Sequence, residues 1–130
     1  NYIKENNLTN SIKILPFQKN PFKYLKLADL FILSSKFEGL PNVLLEAAVL
    51  KKFIISTNCP TGPREILENG KGGFLIKVGD YKSMSKKILY YNINKKRLKK
   101  KIYYTHKSLI RFDSKSNLEK YFKETNNLSV

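Results

Sequence analysis

Two short runs, Leu30-Phe31-Ile32-Leu33 and Phe53-Ile54-Ile55-Ser56-Thr57, constrain this chain more than any other feature. A strand with one wet face alternates apolar and polar residues. A run without that alternation suits a strand covered on both faces, as in a parallel sheet. Between the runs lies Pro41–Leu50, apolar almost all round and of helical length. Strand, helix and strand in that order form a βαβ unit with a right-handed crossover.

The unit extends in both directions. Residues 2–7 read as the end of a helix. Ser11-Ile12-Lys13-Ile14-Leu15 alternates and predicts a strand stopped by Pro16. Asn20-Pro21 predicts a helix start, with Phe22, Leu25 and Ala28 as its apolar face. Downstream, Pro63–Glu68 predicts a short helix with Gly70 beyond its end, and Gly73–Val78 a strand ended by Gly79-Asp80. The order β-α-β-α-β-α-β over residues 11–80 predicts an α/β fold, a Rossmann-like doubly wound parallel sheet. Helices are expected at 81–92, 94–110 and 114–125. Asp113 or Ser114 would cap the last, and Leu118, Tyr121 and Phe122 would be its inner face. No Pro/Gly/Ser linker intervenes, so residues 1–130 read as one domain: a sheet core at 11–80 and a helical basic tail at 81–130.

Charge is concentrated in that tail. Residues 81–130 hold 14 Lys/Arg against 3 Asp/Glu, whereas residues 1–80 hold 11 against 7. Three readings suit such a tail: a solvated helical surface, attraction to an anionic membrane through Lys95, Lys96, Lys99, Lys100 and Lys101, or nucleic-acid binding resting on charge alone. No run of apolar residues is long enough to span a bilayer. One cysteine (Cys59) and one histidine (His106) argue against an internal disulfide or a clustered metal site. Gly70-Lys71-Gly72-Gly73 lacks the order of a Walker loop and precedes a strand, so it reads as a tight turn. No G-x-G-x-x-G follows a strand.

In open α/β sheets, ligands bind beyond the carboxyl ends of the strands. Pro16–Gln18, Ser34–Gly39, Thr57–Pro60 and Val78–Asp80 are expected to meet there. In the second segment, Gly39 stands just before a helix start, where backbone N–H groups attract phosphate. Glu38 precedes it. Glu46 is embedded in Val-Leu-Leu-Glu-Ala-Ala-Val-Leu, one turn beyond Asn42, and so points back towards that helix start. Two carboxylates at such an end suit a ligand with both hydroxyls and phosphates. Two plainer readings stand beside this: Glu46 satisfies local backbone groups or pairs with a lysine, and Gly39-Leu40-Pro41 is a turn.

The stretch Ala28-Asp29-Leu30-Phe31-Ile32-Leu33-Ser34-Ser35-Lys36-Phe37-Glu38-Gly39-Leu40-Pro41-Asn42-Val43-Leu44-Leu45-Glu46-Ala47 closely resembles the signature of a large retaining glycosyltransferase family. It is the group 1 family of two-domain GT-B enzymes, which includes many bacterial capsule, O-antigen and lipopolysaccharide-core transferases. Glu38 and Glu46 match its pair of glutamates. Asn58–Leu67 and Asn69–Asp80 also resemble it, and the likeness runs from about residue 2 to residue 125. The resemblance implies the C-terminal, nucleotide-sugar-binding part of such an enzyme, acting in cell-surface polysaccharide synthesis. It implies that Glu38 hydrogen-bonds and orients the donor sugar. Backbone groups of Gly39, Leu40, Pro41, Asn42 and Val43 would line the sugar and diphosphate, with Pro41 lacking an N–H. Glu46 would accept from ribose hydroxyls, and Pro16, Phe17 and Gln18 would face the base. Pro16 stands where the family often has Gly, and Glu65 matches a recurrent glutamate read as structural.

The resemblance further implies a UDP- or GDP-sugar donor, no metal or other cofactor, and a glycan or lipid-linked acceptor held by an N-terminal domain that would precede Asn1. It implies a cytoplasmic protein, peripheral at the inner face of the cytoplasmic membrane, with no nucleic-acid partner. On this reading residues 1–130 alone bind donor without normal transfer. A non-catalytic nucleotide-sugar-binding or interaction module is the alternative.

Overall fold

The computed structural model describes residues 2–113. Three parallel strands, β1 (Leu30–Leu33), β2 (Phe53–Thr57) and β3 (Phe74–Ile76), form one sheet in the order β1-β2-β3. Leu30 pairs with Phe53, and Ile55 with Phe74. The helices are α1 (Tyr2–Glu5), α2 (Phe22–Leu27), α3 (Asn42–Val49), α4 (Pro63–Ile66) and α5 (Tyr81–Ser108), followed by a 3-10 turn at Leu109–Phe112.

β2 explains the layering. All five of its residues are buried, and successive side chains enter opposite faces. Ile54 joins Leu44, Ala47, Ala48, Ile66 and Leu67 beneath α3 and α4. Phe53 and Ile55 join Ile76, Tyr91 and Leu98 beneath α5. The lack of alternation in the sequence therefore records two cores, one on each side of a three-layer α/β/α unit.

The basic segment is one of those layers. Asp80 caps α5, its carboxylate accepting from the Ser83 N–H at 2.9 Å. The Tyr91 hydroxyl donates to the Asp29 carbonyl at 2.8 Å, and the Tyr91 ring stacks on Phe53 at 4.8 Å. The Lys101 ammonium donates to the Gly70 carbonyl at 2.5 Å, and burial lowers its pKa. His106 Nδ1 lies 3.1 Å from the Ala48 carbonyl, a packing contact between α5 and α3. The two helices expected at 81–92 and 94–110 meet within α5 at a kink, where Asn94 leaves helical backbone geometry (φ −110°, ψ 22°). There the Asn94 amide donates to the Tyr90 carbonyl at 2.9 Å.

Ser11–Leu15 corrects the expectation of a fourth strand: no strand forms there, and Ile12 and Ile14 are exposed. Alternation specifies a face, but a strand exists only where a neighbour accepts its N–H and C=O groups. Among the described residues, none pairs with this segment. The helix expected at 114–125, with Leu118, Tyr121 and Phe122, lies outside the described residues, as does its Ser114 cap.

Candidate functional site

Two threonines strap the loop between β1 and α3 to the exit of β2. The Thr57 hydroxyl donates to the Ser35 carbonyl at 2.6 Å, and the Thr61 hydroxyl to the Glu38 carbonyl at 2.6 Å. Gly62 completes the contact. A Cβ there would collide with the Pro41 ring and the Gly39 carbonyl, and its φ of +72° also disfavours a side chain. Gly39 differs: a Cβ on it would meet nothing within 4 Å. Nothing in the chain's own packing demands a glycine at position 39.

That start is uncapped. Pro41 occupies the N-cap position with no side-chain hydrogen bond. Among the described residues, the N–H groups of Gly39, Leu40, Asn42 and Val43 have no acceptor. Glu38 and Glu46 flank these donors, both half-buried, and neither carboxylate has a hydrogen-bond or ion-pair partner among the described residues. Glu46 therefore pairs with no lysine among the described residues. Free N–H groups at a helix start carry partial positive charge and suit an anion.

Glu46 opens onto a groove of about 330 Å3 between α2 and α3, walled by Tyr24, Leu25, Ala28, Phe31 and Val43. Gln18 reaches the same groove indirectly: the Tyr24 hydroxyl donates to its Oε1 at 3.2 Å, and its Nε2 donates to the Pro16 carbonyl at 3.1 Å. Phe17 is 91% exposed and touches none of this. The structure thus places Val43 and Glu46 in one groove, with Gln18 bonded to Tyr24 of its wall and Pro16 linked only through Gln18. It places Glu38, Gly39 and Pro41 against residues 61–62.

Of the four segments expected at the carboxyl edge, three supply Ser34, Thr57, Gly79 and Asp80 to a cavity of about 180 Å3 at the strand ends, which Lys77 also lines. A wider cavity of about 640 Å3 lies beside Thr61 and Gly62 and includes Asn58, Cys59 and Arg64. The Arg64 Nε donates to Asn58 Oδ1 at 3.2 Å, and Cys59 is a free buried thiol. Sequence reasoning missed Tyr24, Thr61 and Gly62 as members of the site. A Thr-Gly pair next to a Pro-started helix signals a sharp turn, but not that the turn docks on another loop.

The family described as "Glycosyl transferases group 1" matches residues 1–108. An uncharacterized glycosyltransferase of Methanocaldococcus jannaschii is 54% identical over 65 residues, covering 50% of this chain and 16% of the relative. A Campylobacter jejuni enzyme, N-acetylgalactosamine-N,N'-diacetylbacillosaminyl-diphospho-undecaprenol 4-alpha-N-acetylgalactosaminyltransferase, is 35% identical over 82 residues, 63% of this chain and 22% of the relative. The chain thus matches about a fifth of these relatives' length. The crystal structure of HepE of Anabaena, in complex with UDP, superposes with a TM-score of 0.84 at 20% identity, over 96% of this chain and 35% of that one. The chain belongs to the glycosyl transferases group 1 family, and its layered sheet is that of the C-terminal half of the GT-B fold.

Proposed function

We propose that this chain is part of a C-terminal donor domain that binds a UDP- or GDP-sugar for transfer, with retention at the anomeric carbon, to a glycan or lipid-linked acceptor. The observation that carries the reading is the uncapped start of α3, with free N–H groups between two unpaired carboxylates. The N–H groups of Gly39, Leu40, Asn42 and Val43 hold the diphosphate and sugar. Glu46 accepts from the ribose hydroxyls, Glu38 orients the sugar, and Pro16–Gln18 lie towards the base. As the bond from the anomeric carbon to the diphosphate oxygen breaks, negative charge grows on that oxygen beside the amides, which stabilise it without reorganising. The reading calls for no metal, so transfer by the whole protein should persist in excess EDTA. The name of the C. jejuni relative, an undecaprenol-linked sugar transferase, supports a lipid-linked acceptor. A place at the inner face of the cytoplasmic membrane, with α5 against anionic lipid, belongs to the same reading and draws on the exposed lysines of α5. The bound UDP of the Anabaena neighbour supports a uridine donor.

Titration calorimetry tests the donor site. UDP should bind the chain, and Glu46→Ala should bind roughly 10- to 100-fold more weakly, the range expected for hydrogen bonds to a charged acceptor. Equal affinity in the variant would refute the assignment of Glu46. Residues 1–130 alone should bind yet transfer no sugar at a normal rate. Transfer by the whole protein, read by the anomeric coupling constant of its product, decides retention. Binding without transfer by the whole protein would indicate a non-catalytic module.

A further inference from the structure

Thr61 is strained. Its φ is +60°, a left-handed conformation that a β-branched residue enters only at a cost. What accompanies the strain is its hydroxyl, which has one proton to donate and lies 2.6 Å from the Glu38 carbonyl oxygen, with the Pro60 carbonyl at 2.7 Å and that of Gly39 at 3.3 Å as further acceptors. The Glu38–Gly39 peptide is trans, so its C=O and N–H point in opposite directions. Holding the carbonyl towards Thr61 turns the Gly39 N–H away from Thr61, towards the open side of the loop. Gly62, wedged on Pro41 and the Gly39 carbonyl, stops the loop from sliding.

We propose that Thr61 is a positioning residue for the donor: its hydroxyl fixes the Glu38–Gly39 peptide so that the Gly39 N–H and the Glu38 side chain are held ready for the ligand. This rests on the donor reading above. Thr57 straps Ser35 in the same way, but from within regular strand conformation. Only Thr61 combines the strap with a left-handed backbone, which a glycine would adopt freely. Glycine there would relieve the backbone cost but give up the strap, so stability and binding are read separately.

The experiment compares the full chain with Thr61→Gly and Thr61→Ser, titrated with UDP by calorimetry, with Tm measured alongside. Thr61→Gly relieves the strain and removes the hydroxyl; Thr61→Ser keeps the hydroxyl. Thr61→Gly should keep a Tm within a few degrees of the parent yet bind UDP about tenfold more weakly, the effect of one lost hydrogen bond. Thr61→Ser should bind like the parent. If Thr61→Gly binds UDP as the parent does while Glu46→Ala does not, the positioning role is wrong and the donor reading stands. If neither the parent nor Thr61→Ser binds UDP, both fall.

Discussion

At the scale of single residues, glycine and threonine around the α3 start do opposite things. Gly62 is required by the protein itself, because the Pro41 ring and the Gly39 carbonyl fill the place of its Cβ. Gly62→Ala must therefore push back the loop that carries Glu38, or break the Thr61 strap. We expect a loss of about 1–3 kcal/mol in a denaturant titration, from strain at positive φ and the steric clash. UDP affinity should fall with it. Gly39→Ala, with nothing within 4 Å of the new methyl, should leave stability unchanged and obstruct only a ligand lying against that backbone. A Gly39→Ala chain that binds UDP normally would remove Gly39 from the site. Glutamate 46 shows the limit of sequence reasoning at this scale. Its apolar neighbours in sequence suggested a costly burial, whereas it sits half-buried at the mouth of a groove. Leu44, Ala47 and Ala48 take the buried face of α3, and Glu46 lies off it.

At the scale of elements, what was legible depended on whether the signal was local. β1, α3, β2 and α4 follow from short apolar runs, Pro at helix starts and Gly beyond helix ends, all of which act within a few residues. The loop between β1 and α3 was legible as a loop for the same reason. Ser11–Leu15 was not, because strand formation depends on a neighbour that alternation does not reveal. The Thr61 strap was not, because it joins residues 23 apart in sequence. The α5 cap was half-legible: Gly79-Asp80 marked the strand's end, and Asp80 also begins the next helix. Hydrogen bonds from Ser83 hold its carboxyl below the usual carboxylate range. The charged form is therefore favoured by folding. Its contribution is fully present above the unfolded pKa, near 4, and is lost as pH falls through the lower folded value. Asp80→Ala should lower Tm by a few degrees at neutral pH, and the gap to the parent should close in strongly acid solution. A gap that stays constant with pH would show that the carboxylate's charge plays no part.

At the scale of the whole molecule, α5 divides its cations between two tasks. Lys101 is turned inward onto the Gly70 carbonyl, whereas Lys95 stays exposed and lies 3.4 Å from Asp29, which is exposed as well. Lys96, Lys99 and Lys100 remain exposed, as do Lys82 and Lys86. Among them stand two large apolar side chains one turn apart, Leu89 at 62% and Ile93 at 82% exposure. Apolar groups on a basic helical ridge suit an anionic bilayer, which offers charge to the lysines and a hydrocarbon edge to the leucine and isoleucine. A nucleic acid offers the charge and no use for the apolar pair. The full chain should therefore sediment with vesicles containing phosphatidylserine and not with neutral vesicles. Changing Lys96, Lys99 and Lys100 to Gln should weaken that binding by about a hundredfold, at ~1 kcal/mol for each cation near the surface. Leu89→Ser with Ile93→Ser should weaken it as well, while leaving any salt-sensitive binding to DNA unaltered. Vesicle binding that ignores the apolar pair would reduce the ridge to bulk charge, and DNA binding that outlasts the lysine changes would place the basic function elsewhere.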